Sequence, residues 1–227
     1  MTHSRASLKA RLPSRKPNVR LVANGMVVQT GLDLETAQKL AETGRWLHAH
    51  GWAPATSGNF SQRTDAGIAI TSSGRDKSQL TAEQILLVDL DGRPLGEGRP
   101  SAETLLHCQL YRRDPIIGAV LHTHSVAATV LSRRVGAGGT LVAAGYELVK
   151  AFPGRSSHEI PLRLPVVANS QDMQVLMAAA ERALDAEPSA PAYLIAGHGS
   201  YVWGRDLAAA RSQVEALEFL LACLLNE

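Results

Sequence analysis

Ile116-Ile117-Gly118-Ala119-Val120-Leu121-His122-Thr123-His124-Ser125 decides how this chain is to be read. A continuous apolar run that stops abruptly at polar residues is the pattern of a buried strand. Ser125 is a helix-capping residue type, and the segment after it, through Arg133, predicts a helix. The stretch is therefore a strand that delivers polar side chains at its end and hands over to a helix.

The same alternation repeats on both sides. Downstream, Tyr193-Leu194-Ile195-Ala196 is a second buried strand, ending in Gly197-His198-Gly199, and Asp206 to Leu225 reads as a long closing helix with Val214, Leu217, Leu221 and Leu224 on one side. Upstream, Ser101 to Arg113 is helical, with Leu105, Leu106 and Leu110 on one face. Gly67 to Thr71 and Ile85 to Leu90 are strands, the second followed by an Asp91-Gly92 turn. Asp33 caps a first helix that runs to His50 and ends at Gly51. Helices and strands in alternation predict an α/β or α+β domain built on one layered sheet, while periodicity leaves the strand order open.

Composition narrows the function classes. The chain has 227 residues, 45% hydrophobic and 19% charged, which excludes a disordered chain. It holds no apolar run long enough to cross a membrane. Two distant cysteines, Cys108 and Cys223, form neither a CxxC pair nor a disulfide framework, as expected of a cytoplasmic protein. The net charge of +2 is uneven. Before Asp33 there are six basic residues (Arg5, Lys9, Arg11, Arg15, Lys16 and Arg20) and no acidic one, leaving 17 basic against 21 acidic residues in the remainder. Residues 1–32 are expected to form a basic extension and residues 33–227 one catalytic domain. Nucleic-acid binding through the extension is disfavoured, because the body shows no basic face studded with aromatic residues.

The chemistry concentrates in the histidines. On a strand, residues i and i+2 share a face, so His122 and His124 stand side by side with Thr123 turned away. An isolated HxH is as well read as a hydrogen-bonded core pair. His198, between two glycines at another strand end, adds a third imidazole, and three histidines match a catalytic zinc site that keeps a position open. Thr56-Ser57-Gly58-Asn59 and Thr71-Ser72-Ser73-Gly74-Arg75-Asp76-Lys77 are donor-rich turns that suit a phosphate, with Lys77 as a nearby cation. Of the carboxylates, Glu103 opens a helix, with His107 one turn further on. Glu147 stands between apolar residues and is expected to be partly buried, with a raised pKa useful in an acid/base group.

In order, Ser57-Gly58-Asn59, Thr71-Ser72-Ser73-Gly74, Ser101-Ala102-Glu103, His122-Thr123-His124 and His198-Gly199 resemble the class II aldolase/epimerase/adducin-head family. The likeness spans roughly residues 33 to 225. It implies a three-layer α/β/α sandwich around a largely antiparallel sheet, and a homotetramer with sites near subunit interfaces. It also implies one zinc ion per chain on His122, His124 and His198, with Asn59, Ser73, Gly74 and Ser101 holding a substrate phosphate. Ala102 departs from the second serine of the aldolase pattern. The members most similar imply zinc-dependent dehydration of 5-methylthioribulose 1-phosphate to 2,3-diketo-5-methylthiopentyl 1-phosphate in methionine salvage. A sugar-phosphate aldolase or epimerase is the alternative, and a non-enzymatic adducin-head-like interaction domain a more distant one. Glu103 and Glu147 both have precedent in the family as the acid/base, and Glu147 is expected to be the main proton shuttle with Glu103 in support.

Overall fold

The computed structural model describes residues 19–21 and 27–227. Two short strands, β1 (Val19–Leu21) and β2 (Val27–Gln29), pair antiparallel. They precede α1 (Leu34–Ala49), whose N-cap Asp33 accepts from the Thr36 amide as the sequence predicts. Then come β3 (Asn59–Thr64), β4 (Gly67–Thr71), β5 (Ile85–Val88), α2 (Thr104–Arg113) and β6 (Ala119–Thr123). After β6 follow α3 (Val126–Val135), β7 (Thr140–Ala143), β8 (Leu162–Val167), α4 (Met173–Ala186), β9 (Ala192–Ile195), β10 (Gly199–Gly204) and α5 (Leu207–Leu225).

Eight strands form one sheet in the order β5-β4-β3-β6-β10-β9-β8-β7, with every neighbouring pair antiparallel except β8 and β9. Alternation along the strands divides the core in two. Ala119 and Leu121 of β6 pack with α1, α3 and α5, whereas Val120 packs with α2 and α4 on the opposite face. This is the three-layer α/β/α sandwich that the family resemblance implies. On α5, Val214, Leu217 and Leu221 are fully buried, each contributing roughly 1.5–3 kcal/mol by leaving water.

The domain boundary placed at residue 33 moves toward the N-terminus. Val28 and Leu32 are buried in the core, and the buried Gln29 side chain donates to the Glu97 carbonyl (2.6 Å) and accepts from the Leu87 amide (2.7 Å). The apolar residues just before Asp33 thus belong to the packed body, which charge counting hid. Of the six basic residues, Arg20 lies in β1 and the other five lie outside the described residues. Among the described residues, no helix is long and apolar enough to cross a membrane.

Candidate metal centre and active site

β6 sits between β3 and β10, opposite Asn59 on one side and Tyr201 on the other at the level of His122. His122 shares the face of Val120, so its ring points toward α2 and α4, where it stacks on Tyr201 at 4.2 Å between centroids. His124 continues on that face, its ring 4.5 Å from that of His122, and its backbone N–H donates to the Trp52 carbonyl at 2.7 Å. Thr123 points the other way, as the strand period requires. His198 enters from the turn between β9 and β10, its ring 4.5 Å from that of His124 and 5.0 Å from that of His122. The turn needs its glycines. Gly197 has φ of +65°, and a Cβ on Gly199 would collide with the Thr123 carbonyl oxygen.

Glu103, the N-cap residue of α2, completes the group. Its carboxylate lies 3.1 Å from His122 Nε2 and 3.5 Å from His198 Nε2. Glu103, His122, His124 and His198 each present a ligating atom within 4.8 Å of the others. Sequence reading named the three histidines as ligands and gave Glu103 a supporting proton-transfer role. Glu103 opens its helix 19 residues before His122 in the chain, and the packing of α2 against β6 brings its carboxylate to the imidazoles.

The donor set suits a divalent cation. His122 Nδ1 donates to the Ser200 carbonyl (2.9 Å), which leaves the lone pair of Nε2 aimed into the group. His198 Nε2 faces it at 3.3 Å, while the buried Nδ1 of His198 has no partner among the described residues. With the His198 hydrogen on Nδ1, two bare Nε2 atoms face each other, a repulsion that a cation shared with His122 relieves. Burial holds His124 down to about 3, with the charges of His122 and His198 adding to it, and burial also lowers His198. Both are therefore neutral at ordinary pH, as metal binding by an imidazole requires. Burial alone would raise the Glu103 pKa. When His122 carries a second proton, its charge and hydrogen bond join the Asn59 amide in outweighing burial and hold the carboxyl well below the usual range.

The loops expected to hold phosphate are brought together, but two of their residues are turned to other work. The Ser73 amide donates to the Arg99 carbonyl (2.9 Å) and the Ser101 amide to the Thr71 carbonyl (3.2 Å), so Ser73, Gly74 and Ser101 form adjoining turns. Asn59 does not offer its side chain to these turns. Nδ2 donates to Glu103 Oε2 (2.9 Å) and Oδ1 accepts from His107 Nε2 (2.5 Å), because β3 places Asn59 directly beside His122. Lys77 is 1% exposed, and its Nζ donates to the backbone carbonyls of Thr56 (3.0 Å) and Arg75 (2.9 Å). It braces the two turns from beneath in place of projecting to solvent, and burial lowers its pKa to about 8.

Glu147 corrects the sequence reading most sharply. It lies on a short 3-10 helix, Glu147–Ala151, with its side chain 71% exposed and paired with Lys150 and His158. Its neighbours Tyr146 and Leu148 are only partly buried, and the Lys150 hydrogen bond lowers its pKa where burial was expected to raise it. It is not brought to the histidines within the protomer.

A cleft of about 440 Å³ opens on the cluster, lined by Pro54, Ser57, His124, Thr129, Asn169 and Gln171 with Gly197 and His198. A larger cavity, about 1180 Å³, lies at the other end of β10 around Trp203, Phe152 and Ile117 and includes none of the clustered groups. Asn169, Gln171 and Thr129 were not singled out as site residues from the sequence. They come from the β8–α4 connection and from α3, and only the fold puts them opposite His124.

This fold has known counterparts. The description "Class II Aldolase and Adducin N-terminal domain" matches residues 38–225. The chain belongs to this family. Solved relatives include an L-fuculose 1-phosphate aldolase, 25% identical with TM-score 0.71 over 86% of this chain and 88% of that one. Another is the L-fuculose-1-phosphate aldolase of Thermus thermophilus, 31% identical with TM-score 0.67 over 85% and 93%. Among curated proteins, the methylthioribulose-1-phosphate dehydratase of Xanthomonas campestris pv. campestris (strain 8004) is 55% identical over 194 residues, covering 85% of this chain and 89% of the relative. The protein of that name from Sorangium cellulosum (strain So ce56) is 50% identical, covering 84% and 92%.

Proposed function

We propose that this chain is a metal-dependent hydro-lyase that converts 5-methylthioribulose 1-phosphate to 2,3-diketo-5-methylthiopentyl 1-phosphate. The observation that carries the reading is the convergence of His122, His124, His198 and Glu103 beside a cleft that His124 and His198 line, in a chain half or more identical to curated dehydratases of that substrate.

His122, His124 and His198 would hold the metal, zinc by the preference of an imidazole set with an open position. Bound there, zinc supplies Lewis acidity to the C2 carbonyl of the substrate and so acidifies the C3 proton. The turns of Ser73, Gly74 and Ser101 bind the phosphate through the two serine hydroxyls and the Gly74 amide, since the Ser73 and Ser101 amides are spent on backbone carbonyls, with the buried Lys77 ammonium adding positive charge beside the Ser73–Gly74 turn. This remote grip orients C3 and C4. Glu103, held by the Asn59 amide beside the imidazoles, takes the C3 proton. The C4 hydroxyl takes that proton back from the Glu103 carboxyl and leaves as water, and the enol left behind tautomerises to the diketone. Glu147, with its exposed carboxylate, serves as a proton-transfer group where subunits of a homotetramer bring it to the cleft of another copy. The reaction belongs to methionine salvage in the cytoplasm.

The second reading is a sugar-phosphate aldolase or epimerase, favoured by the solved aldolases that share the fold. Product analysis with 5-methylthioribulose 1-phosphate separates the two. A diketone without carbon–carbon cleavage supports the dehydratase, and triose products or an unchanged mass overturn it. Glu103→Gln is expected to lower kcat about a hundredfold or more, with metal retained. Near-normal turnover in Glu103→Gln beside an inactive Glu147→Gln would transfer the proton step to Glu147.

A further inference from the structure

A buried polar chain runs from Glu103 away from the metal group, and beyond Asn59 it plays no part in the chemistry described so far. Glu103 Oε2 accepts from Asn59 Nδ2 (2.9 Å), and Asn59 Oδ1 meets His107 Nε2 (2.5 Å). His107 Nδ1 meets Ser61 Oγ (2.7 Å), and Ser61 Oγ meets Tyr111 Oη (2.8 Å). His107 and Ser61 are fully buried, and Tyr111 and Asn59 are 2% and 6% exposed. The edge of the His107 ring also packs against Tyr201, the residue on which His122 stacks.

Each link determines the polarity of the next. A carboxylate only accepts, so the Asn59 group that faces Glu103 must be its NH2. The Asn59 oxygen is then the atom left for His107, and it requires a hydrogen on Nε2. In a neutral imidazole the other nitrogen is then bare, so Nδ1 must accept from the Ser61 hydroxyl. Ser61, having spent its hydrogen, accepts in turn from Tyr111. With His107 neutral, as its burial dictates, reversing any one link places two acceptors with no hydrogen between them, or two donors face to face, in a buried site where such a group loses a hydrogen bond it cannot replace from water. The chain therefore has a single self-consistent direction, from Tyr111 to Glu103.

We infer that His107 is a positioning residue, which acts on Glu103 through Asn59. As the neutral Nε2–H tautomer it holds the Asn59 amide with its NH2 toward the carboxylate, and so sets which way the Glu103 oxygens face. Asn59 cannot then rotate to take a phosphate without leaving both His107 and Glu103 unpaired. The tautomer stands on the hydrogen-bond geometry and on the burial that keeps the ring neutral, and not on any activity. Its effect on turnover rests on the function proposed above.

The two are tested separately. In metal-free wild-type protein with 15N-labelled histidine, His107 is expected to show a protonated Nε2 and a bare Nδ1. A protonated Nδ1 overturns the inference whether or not the enzyme has the proposed activity. For turnover, His107→Gln places an amide NH2 where Nε2–H stood, His107→Asn ends at the position of Nδ1, and His107→Leu removes both. Expected is a kcat within about threefold of wild type for the Gln variant, and losses of about tenfold or more for the Asn and Leu variants at little-changed KM. A purely structural histidine would give the Gln and Asn variants the same kcat, and that result overturns the positioning role.

Discussion

Glu218 offers a measurement that reads the support of the metal strand directly. It lies on α5 and is 3% exposed, and it accepts from the Thr123 hydroxyl at 3.1 Å. Thr123 is the residue between the two HxH imidazoles and also meets Ser200 Oγ (2.8 Å). Burial pushes the Glu218 carboxyl up from 4.5 to about 7, partly offset by hydrogen bonds from Ser125 and Thr123. A raised carboxyl means that the folded protein keeps a proton the unfolded chain has released. The stabilisation is complete below pH 4.5 and is lost as pH rises through 7. Holding the proton over that span corresponds to about 3 kcal/mol. Glu218→Gln keeps the size and a hydrogen-bonding NH2 but cannot ionise. Urea unfolding of the metal-free proteins at about pH 5, 6, 7 and 8 gives the test. The difference in stability between variant and wild type is expected to shift in favour of the Glu218→Gln protein with rising pH, by up to about 3 kcal/mol between roughly pH 5 and 8. A difference that stays flat over this range refutes the burial argument, whatever the absolute stabilities.

Other outcomes follow from the same geometry. His198→Ala is expected to lower bound metal per chain well below that of wild type by elemental analysis, and undiminished metal removes His198 from the site. Lys77→Met takes an ammonium from two carbonyls. It should cost about 1–3 kcal/mol in urea unfolding and raise KM more than it lowers kcat, so an unchanged KM separates Lys77 from the phosphate turns. Gly199→Ala drives a Cβ into the Thr123 carbonyl oxygen. It should weaken metal binding in a chelator competition even where the chain still folds, and an unaltered affinity would mean that the turn yields freely.

The fold class was legible because its signals are local. Asp33, Ser125 and Asp206 each cap the helix expected after them, accepting from the amides of Thr36, Ala128 and Ala209. Strand order was not legible. β3 and β10 lie beside β6 through contacts between residues 59–62 and 119–122 and between 119–123 and 200–204, and no period in the chain encodes such pairings. The three histidines were readable from residue type and strand parity. The true surroundings of Asn59, Lys77 and Glu147 were not, because a polar residue beside apolar neighbours does not reveal which way it turns. Lys77 sits in a run of polar residues and is buried, whereas Glu147 sits among apolar ones and is exposed.

Strand parity links these findings. Along β6 the face alternates, so His122 meets Glu103 on the α2 side while Thr123 meets Glu218 on the α5 side. A slip of β6 by one residue would exchange them, carrying an imidazole to a protonated carboxyl and a threonine to the metal group. Two contacts oppose that slip. Tyr201 stacks on His122 across the pair, and Gly199 lies so close to the Thr123 carbonyl that only a residue without a Cβ fits there. The glycine beside His198 therefore does more than free a turn. It lets β10 approach β6 closely enough for three imidazoles from two strand ends to reach one another, and the metal site is a consequence of how tightly those two strands are registered.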